Sequence, residues 1–554
     1  TVIFRANDGA NGVELWKSDG TAAGTVMVKD INPGSASSSP SSLVVMNGFV
    51  YFTANDGAAG IELWRSDGTA AGTTLVADIN PGTASSSASQ LVVFGNTLIF
   101  RATDGVNGVE LWKTDGTAAG TAMVADINPG SGSSNPSYPV FVGAVLYFTA
   151  TNGTDGTELW KSLPPWIGAS TSMVANINPG AANSSPTYLT PAGPLVFFAA
   201  DDGANGRELW VSDGTPPGTK LVADINPGSA ASSPTSLAFA GPFLFFSADD
   251  GASGRELWKS DGTAANTALV MDIRPGATGS GPSSILAEGL RVFFTASDGV
   301  SGVEVWQSLP PYIPGTTAMV RDINPGIGDG IPPAISIASA VLLYSGAHNV
   351  RILFSGTDGV NGSEPWVTDG TAAGTFMLAD LNPGANNSAP SGFLRAGKRV
   401  FFMANDGTNG IELFAVNLGR FGGALAEPFG AGCPGTGNQV PQIAGTGLPV
   451  TGNTGFGVGL ARALPATAAL LLLDGAPGAL PLGGGCTLYV GLQSLFPFAA
   501  VTDASGAAMI PLGIPNTPAL VGVSLYSQWA VIDSGGAFAG MACFSEGLHL
   551  LIGN

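Results

Sequence analysis

Between Ser41 and Ala77 the chain alternates short apolar runs with polar, glycine-bearing turns. Leu43-Val44-Val45-Met46 is followed by Asn47-Gly48, the strongest two-residue hairpin signal. Phe49-Val50-Tyr51-Phe52-Thr53 is rich in aromatic and β-branched residues, as strands are. Asp56-Gly57-Ala58-Ala59-Gly60 turns the chain into Ile61-Glu62-Leu63-Trp64. Ser66-Asp67-Gly68-Thr69 turns it again into Thr74-Leu75-Val76-Ala77, and Asn80-Pro81-Gly82 closes the unit. No window sustains a 3.6-residue apolar period, so four antiparallel strands and no helix are expected here.

The unit recurs. Glu14-Leu15-Trp16 reappears at Glu62, Glu110, Glu158, Glu208 and Glu256, with variants at Glu304-Val305-Trp306, Glu364-Pro365-Trp366 and Glu412-Leu413-Phe414. The steps are 48, 48, 48, 50, 48, 48, 60 and 48 residues. Four short strands in so regular a period predict the blades of a β-propeller. Within the third strand Glu14 and Trp16 share one face and Leu15 takes the other. Both faces of a blade pack on neighbours, so the two apolar residues need not alternate strictly with polar ones.

Asp8-Gly9, Gly12, Glu14-Leu15-Trp16 and Ser18-Asp19-Gly20-Thr21 resemble the ELWxxDGT repeat of secreted and surface bacterial proteins. The resemblance covers about residues 1–417. It implies a repeat architecture at an extracellular or cell-surface location, and no particular reaction.

The chain starts in the second strand of a unit and reaches only the third strand of the ninth copy. Either nine blades form with one incomplete, or eight form and leave strands over. Such strands could pair with another subunit, and head-to-tail pairing that does not close gives filaments. The first residues, Thr1-Val2-Ile3-Phe4, already read as strand, as expected of a mature chain whose export signal has been removed.

From about Arg420 the repeat stops and charge nearly vanishes. Residues 421–554 hold five acids and one base, Arg462. Apolar runs such as Ala469 to Leu473 alternate with Gly/Pro/Asn turns, which predicts a β-sandwich after a propeller of eight or nine four-stranded blades at 1–420. Phe429-Gly430-Ala431-Gly432-Cys433-Pro434-Gly435 and Gly485-Cys486-Thr487-Leu488 look similar to C-terminal modules of exported planctomycete- and myxobacteria-like proteins. Cys433, Cys486 and Cys543 fit one disulfide and a spare thiol, with three pairings open.

Composition narrows the chemistry. Forty acidic against 20 basic residues in 554 exclude a nucleic-acid binder held by phosphate contacts. No apolar run reaches the roughly 20 residues of a membrane helix. Two histidines, His348 and His549, make a His/Cys zinc site or a Ser-His-Asp triad a poor expectation. The repeats hold 35 of the 40 acids, mostly at four fixed places, so the charge belongs to the repeat. The Glu is expected to accept N–H bonds from the adjacent Gly-rich turn. The competing expectation is Ca²⁺, held by Asp8, Glu14 and their equivalents. Acids outside the repeated set are few: Asp155, Asp201, Asp249, Glu288 and Asp329.

Departures from the repeat are where specificity is expected. Ser162-Leu163-Pro164-Pro165-Trp166-Ile167 and Ser308-Leu309-Pro310-Pro311-Tyr312-Ile313 replace the Ser-Asp-Gly-Thr turn. Trp166 and Tyr312 are candidates for contact with a glycan or a surface protein, or else cover a local apolar gap. A 12-residue insertion follows in the eighth copy, around His348. Together these features point to a non-catalytic extracellular structural protein that self-associates, with a glycan- or protein-binding adhesin as the alternative.

Overall fold

The computed structural model describes the chain except for 333–340, 343–350, 418–424, 430–431, 446–452, 484–485, 493–494, 516–522, 553–554 and positions 289, 398 and 454. The fold is all-β: a propeller followed by a sandwich. Among the described residues nine antiparallel sheets succeed one another through Asn417. Seven have four strands. The first (Val2–Asn7, Val13–Ser18, Val26–Lys29) and the ninth (Ser391–Ala396, Arg399–Asn405, Ile411–Asn417) have three each. The end strands thus build two separate sheets rather than sharing one. The ninth sheet meets the first, where the Arg399 guanidinium donates to the Asp19 carbonyl. Thr1–Ile3, Leu43–Val45 and Leu394–Ala396 line a cavity of 840 Å³ at that junction.

Each sheet shows why Leu and Trp coexist in one strand. Leu15, Val28 and Ile31 of the first sheet pack on Phe52, Ala54 and Trp64 of the second. Leu63, Val76 and Ile79 of the second pack on Phe100, Ala102 and Trp112 of the third. The Leu face therefore meets the following sheet and the Trp face the preceding one. Full burial of such a side chain contributes about 1.5–3 kcal/mol, repeated at every junction.

Cations add a second tie. Lys17 Nζ donates to Gly68 O at 2.8 Å, Arg65 Nη1 to Gly116 O at 2.9 Å, and Lys161 Nζ to Gly214 O at 2.8 Å. Each reaches the Asp-Gly-Thr turn of the next sheet.

The first strands of successive sheets run side by side and form the inner wall of the propeller. Each of those from the second to the seventh sheet carries a bulge after its first residue, as at Ser41/Val44 and Thr187/Thr190. The bulge drives the second residue into the left-handed region: Ser42, Gln90, Tyr138, Tyr188, Ser236 and Ser284 all have φ between 52° and 56°.

Beyond the repeats, a six-stranded sheet and a three-stranded sheet (Gln442–Gly445, Gly457–Ala461, Ala508–Pro511) enclose a common core. Val458 and Leu460 of the smaller sheet pack with Leu471, Trp529 and Val531 of the larger. The buried Trp529 indole donates to Gly459 O at 3.1 Å. Cys433 and Cys486 form the disulfide. Cys543 is a buried thiol whose pKa burial and the nearby Asp533 push up to about 11.

Candidate functional site

The repeated carboxylates serve the fold. Glu14 is fully buried and accepts from Ile31 N (2.9 Å), Ser38 N (2.7 Å) and Ser38 Oγ (2.6 Å). Its donors lie in the loop after the last strand of its sheet, not in the Gly-rich turn as expected. The Glu therefore fastens the loop that carries the chain into the next sheet. Desolvation raises the pKa of its equivalents Glu62, Glu110, Glu158, Glu208 and Glu256, against the pull of those donors.

Asp8 instead caps its own turn, accepting from Ala10 N, Asn11 N and Asn11 Nδ2. Asp8 and Glu14 thus engage separate loops, which does not bring them into the one Ca²⁺ ligand set expected of them. Among the described residues no three His, Cys, Asp or Glu side chains gather as a metal site.

The two aromatic loops turn inward. Trp166 is buried against Phe94 and Phe141, with ring centroids 5.6 and 6.2 Å away. Tyr312 is buried against Phe245 at 4.8 Å, and its hydroxyl donates to Leu290 O at 2.7 Å. Lys113 and Lys259 of the preceding sheets hold the Pro165, Pro311 and Tyr312 carbonyls. These rings seal the gap between sheets and offer no exposed face, so the expectation of contact through Trp166 and Tyr312 is corrected. The insertion around His348 lies outside the described residues.

A different constellation stands at the inner wall. At the bulge position the sheets carry Ser42, Gln90, Ser236, Ser284 and, in the ninth, Gly392. The fourth and fifth sheets carry Tyr138 and Tyr188 there, 46% and 45% exposed. The bulge forces φ > 0 in every case, a conformation that costs a non-glycine residue on the order of 1–3 kcal/mol. Serine satisfies the bulge equally well, so the backbone does not account for tyrosine.

Arginines flank these rings. The residue before the repeated Glu is Val13, Ile61, Val109, Thr157, Val303, Ser363 or Ile411 in seven sheets, and Arg207 or Arg255 in the fifth and sixth. The Arg207 Nη2 donates to Ser185 O (2.8 Å), Ala199 O (2.9 Å) and Thr187 Oγ1, which aims it at the first strand of its own sheet. Arg255 does the same with Ser233 O (2.9 Å) and Ser247 O (3.1 Å).

Desolvation lowers the pKa of Arg207, opposed first by the Asp201 carboxylate and then by the nearby phenols of Tyr188 and Tyr138. It lowers that of Arg255 too, opposed by Asp249 and Tyr188. Tyr188 therefore lies within electrostatic reach of both guanidinium groups. Asp201 and Asp249 stand opposite Arg207 and Arg255 in cross-strand register, where the second sheet pairs Asn55 with Ile61. Each carboxylate also caps its own turn, at Gly203 N and Gly251 N. Arg101, on the second strand of the third sheet, extends the row: its Nε donates to Ser89 Oγ (2.9 Å) and its Nη1 to Ser137 Oγ (3.3 Å), next to Tyr138. Tyr138 N in turn donates to Gln90 Oε1 at 3.3 Å.

Sequence reasoning singled out Asp201 and Asp249 but missed their arginine partners and both tyrosines. Aligning the nine copies column by column exposes all four, because each occupies a column that is otherwise small, polar or apolar.

No protein-family model and no curated protein matches the chain. Solved structures resemble it at low identity and low TM-score. A prolyl endopeptidase is 10% identical with a TM-score of 0.36, over 78% of this chain and 56% of its own. A puromycin hydrolase is 12% identical with a TM-score of 0.34, over 79% and 64%. A puromycin-hydrolyzing peptidase of Mycobacterium tuberculosis is 11% identical with a TM-score of 0.35, over 70% and 60%. The chain thus spans less than two thirds of each. The reading of a non-catalytic, self-associating structural protein, with an adhesin as its alternative, is corrected by this comparison: these three fold neighbours are enzymes.

Proposed function

We propose that the protein takes a small organic anion at the inner wall of the propeller, between Tyr138, Tyr188, Arg207 and Arg255. The observation that carries this reading is Tyr188. It is an exposed ring on a backbone position that serine fills elsewhere, and it lies in the field of two guanidinium groups. Guanidinium donors match flat anions such as carboxylates, and a tyrosine offers a ring face and a hydroxyl beside them. The favoured ligand is a carboxylate borne on a ring or other apolar body. The Cys433–Cys486 disulfide supports an oxidising compartment, in keeping with the surface location implied by the repeat.

Other sheets supply the control residues. Tyr188→Ser restores the serine of the second sheet, and Asp201→Asn with Arg207→Val restores the pairing of the first. Calorimetric titration with benzoate, phenylacetate and a dipeptide with a free carboxylate is expected to show binding to the native protein. Loss of one charge-assisted contact is worth about 1.5–3 kcal/mol, so either variant weakens binding by roughly ten- to a hundredfold. Mass spectrometry of the same samples reports turnover. Binding unchanged in both variants, or absent across the panel, removes the reading.

A further inference from the structure

The seventh sheet breaks the rule by which the repeated Glu is satisfied. Glu304 is fully buried like its counterparts in the first six sheets and the eighth. Elsewhere a serine two bonds deep in the loop supplies both N–H and Oγ to that carboxylate: Ser38 to Glu14, Ser134 to Glu110, Ser184 to Glu158, Ser388 to Glu364. In the seventh sheet the residue at that place is Gly330, and the hydroxyl is gone. Glu304 Oε1 keeps a long bond from Asn324 N at 3.4 Å, and Oε2 is buried with no hydrogen-bond partner. The carboxylate has moved into the space a side chain would occupy, since a Cβ on Gly330 would lie 2.3 Å from Oε1.

The neighbouring position changes in the same direction. Ser37 Oγ accepts from Val13 N in the first sheet; Asp329 Oδ1 accepts from Val303 N in the seventh. A neutral hydroxyl has become a second carboxylate on the loop that holds Glu304. Asp322, on the same loop, is a third; it is common to the repeat, and its Oδ1 is buried without a partner as are those of Asp30, Asp272 and Asp380. Among the described residues no Lys or Arg donates a hydrogen bond to any of the three. Arg321 reaches away to Thr375 O of the eighth sheet. Ala296 faces Glu304 across the sheet, and the eighth-sheet strand Ile352–Thr357 carries no titratable side chain. The loop also holds the next sheet, because Thr357 N donates to Gly330 O at 2.9 Å.

We propose that this loop, residues 322–332, is a proton-operated seam between the seventh and eighth sheets, closed when Glu304 carries a proton and loosened when it is ionised. A neutral carboxyl tolerates burial with few donors, whereas an ionised one lacking the serine hydroxyl does not. Desolvation, aided by Asp322 and opposed by the backbone N–H groups of Ile323, Asn324 and Gly330, raises the Glu304 pKa from 4.5 to about 7. Its folded-state pKa lies above the unfolded one, so the folded protein takes up a proton. The resulting stabilisation is fully present below pH 4.5 and is lost as pH rises to about 7, above which the loss levels off.

Hydrogen exchange of the whole protein, corrected for intrinsic rate, tests this. Protection of 322–332 is expected to fall roughly tenfold between about pH 5.5 and about pH 8.5, against less than about threefold for the equivalent loop 30–40. Glu304→Gln removes the titrating group and is expected to abolish the difference. Gly330→Ser restores the missing hydroxyl and is expected to shrink it towards the response of loop 30–40. Equal responses of the two loops in the native protein overturn the proposal, as does a pH response retained by Glu304→Gln.

Discussion

The second and fifth sheets are near copies that differ at the places where a ligand could touch them. In both, the Trp pairs with a Phe across the sheet, Trp64 with Phe52 and Trp210 with Phe198. In both, the same bulge follows the first residue of the first strand. Yet Ser42, Asn55 and Ile61 of the second sheet become Tyr188, Asp201 and Arg207 in the fifth. The repeat thus separates residues that build a blade from residues that merely sit on one. Whatever seven or eight sheets do without is not required by the fold, and chemistry is best sought there.

The sharpest way to break this comparison is through the shared core. Phe52 and Phe198 are both fully buried, each against the preceding sheet. Truncating either to Ala is expected to cost about 3–5 kcal/mol in chemical denaturation, with similar values for the two. A markedly smaller loss for Phe198 would mean that the fifth sheet has been rebuilt around its arginine, and the internal-control logic would fail.

A smaller effect tests the buried Glu. Glu62→Gln and Glu208→Gln keep one acceptor oxygen but turn an amide nitrogen towards a backbone donor, Ile79 N or Ser86 N in one case and Ile225 N or Ser232 N in the other. One buried donor left unmatched costs about 1–3 kcal/mol. The two substitutions should again agree. Disagreement would show that Arg207, which immediately precedes Glu208, has altered the anchor beneath the candidate site.

Much of the fold was legible because the repeat states each feature many times. The hairpin at Asn47-Gly48 and the opposed faces of Leu63 and Trp64 follow from turn chemistry and the two-residue period. Partners lying far along the chain were not legible. Glu14 finds Ser38 across 24 residues, so the nearer Gly-rich turn was the wrong expectation. For Trp166 and Tyr312 the Pro-stiffened loops leave contact and gap-covering equally open, and burial is set by Phe94 and Phe245 in the preceding sheets. The bulge at Tyr188 hid for another reason. Ser, Gln and Tyr share no propensity for φ > 0, and only the ladder shift at Thr187/Thr190 reveals it.

The smallest expected effect is the most discriminating. Tyr188→Ser removes a ring 45% exposed from a position with φ 56°. The ring contributes little to the core, and serine occupies the same conformation at Ser42 and Ser236. Stability should therefore change by no more than about 0.5 kcal/mol, the range of surface substitutions away from structural features. The reciprocal change, Ser42→Tyr, should be equally neutral. If instead Tyr188→Ser costs about 2 kcal/mol or more, outside that range, the tyrosine is a structural member of the inner wall. The ligand reading would then lose the residue on which it rests, while the shared-core comparison of Phe52 and Phe198 would stand.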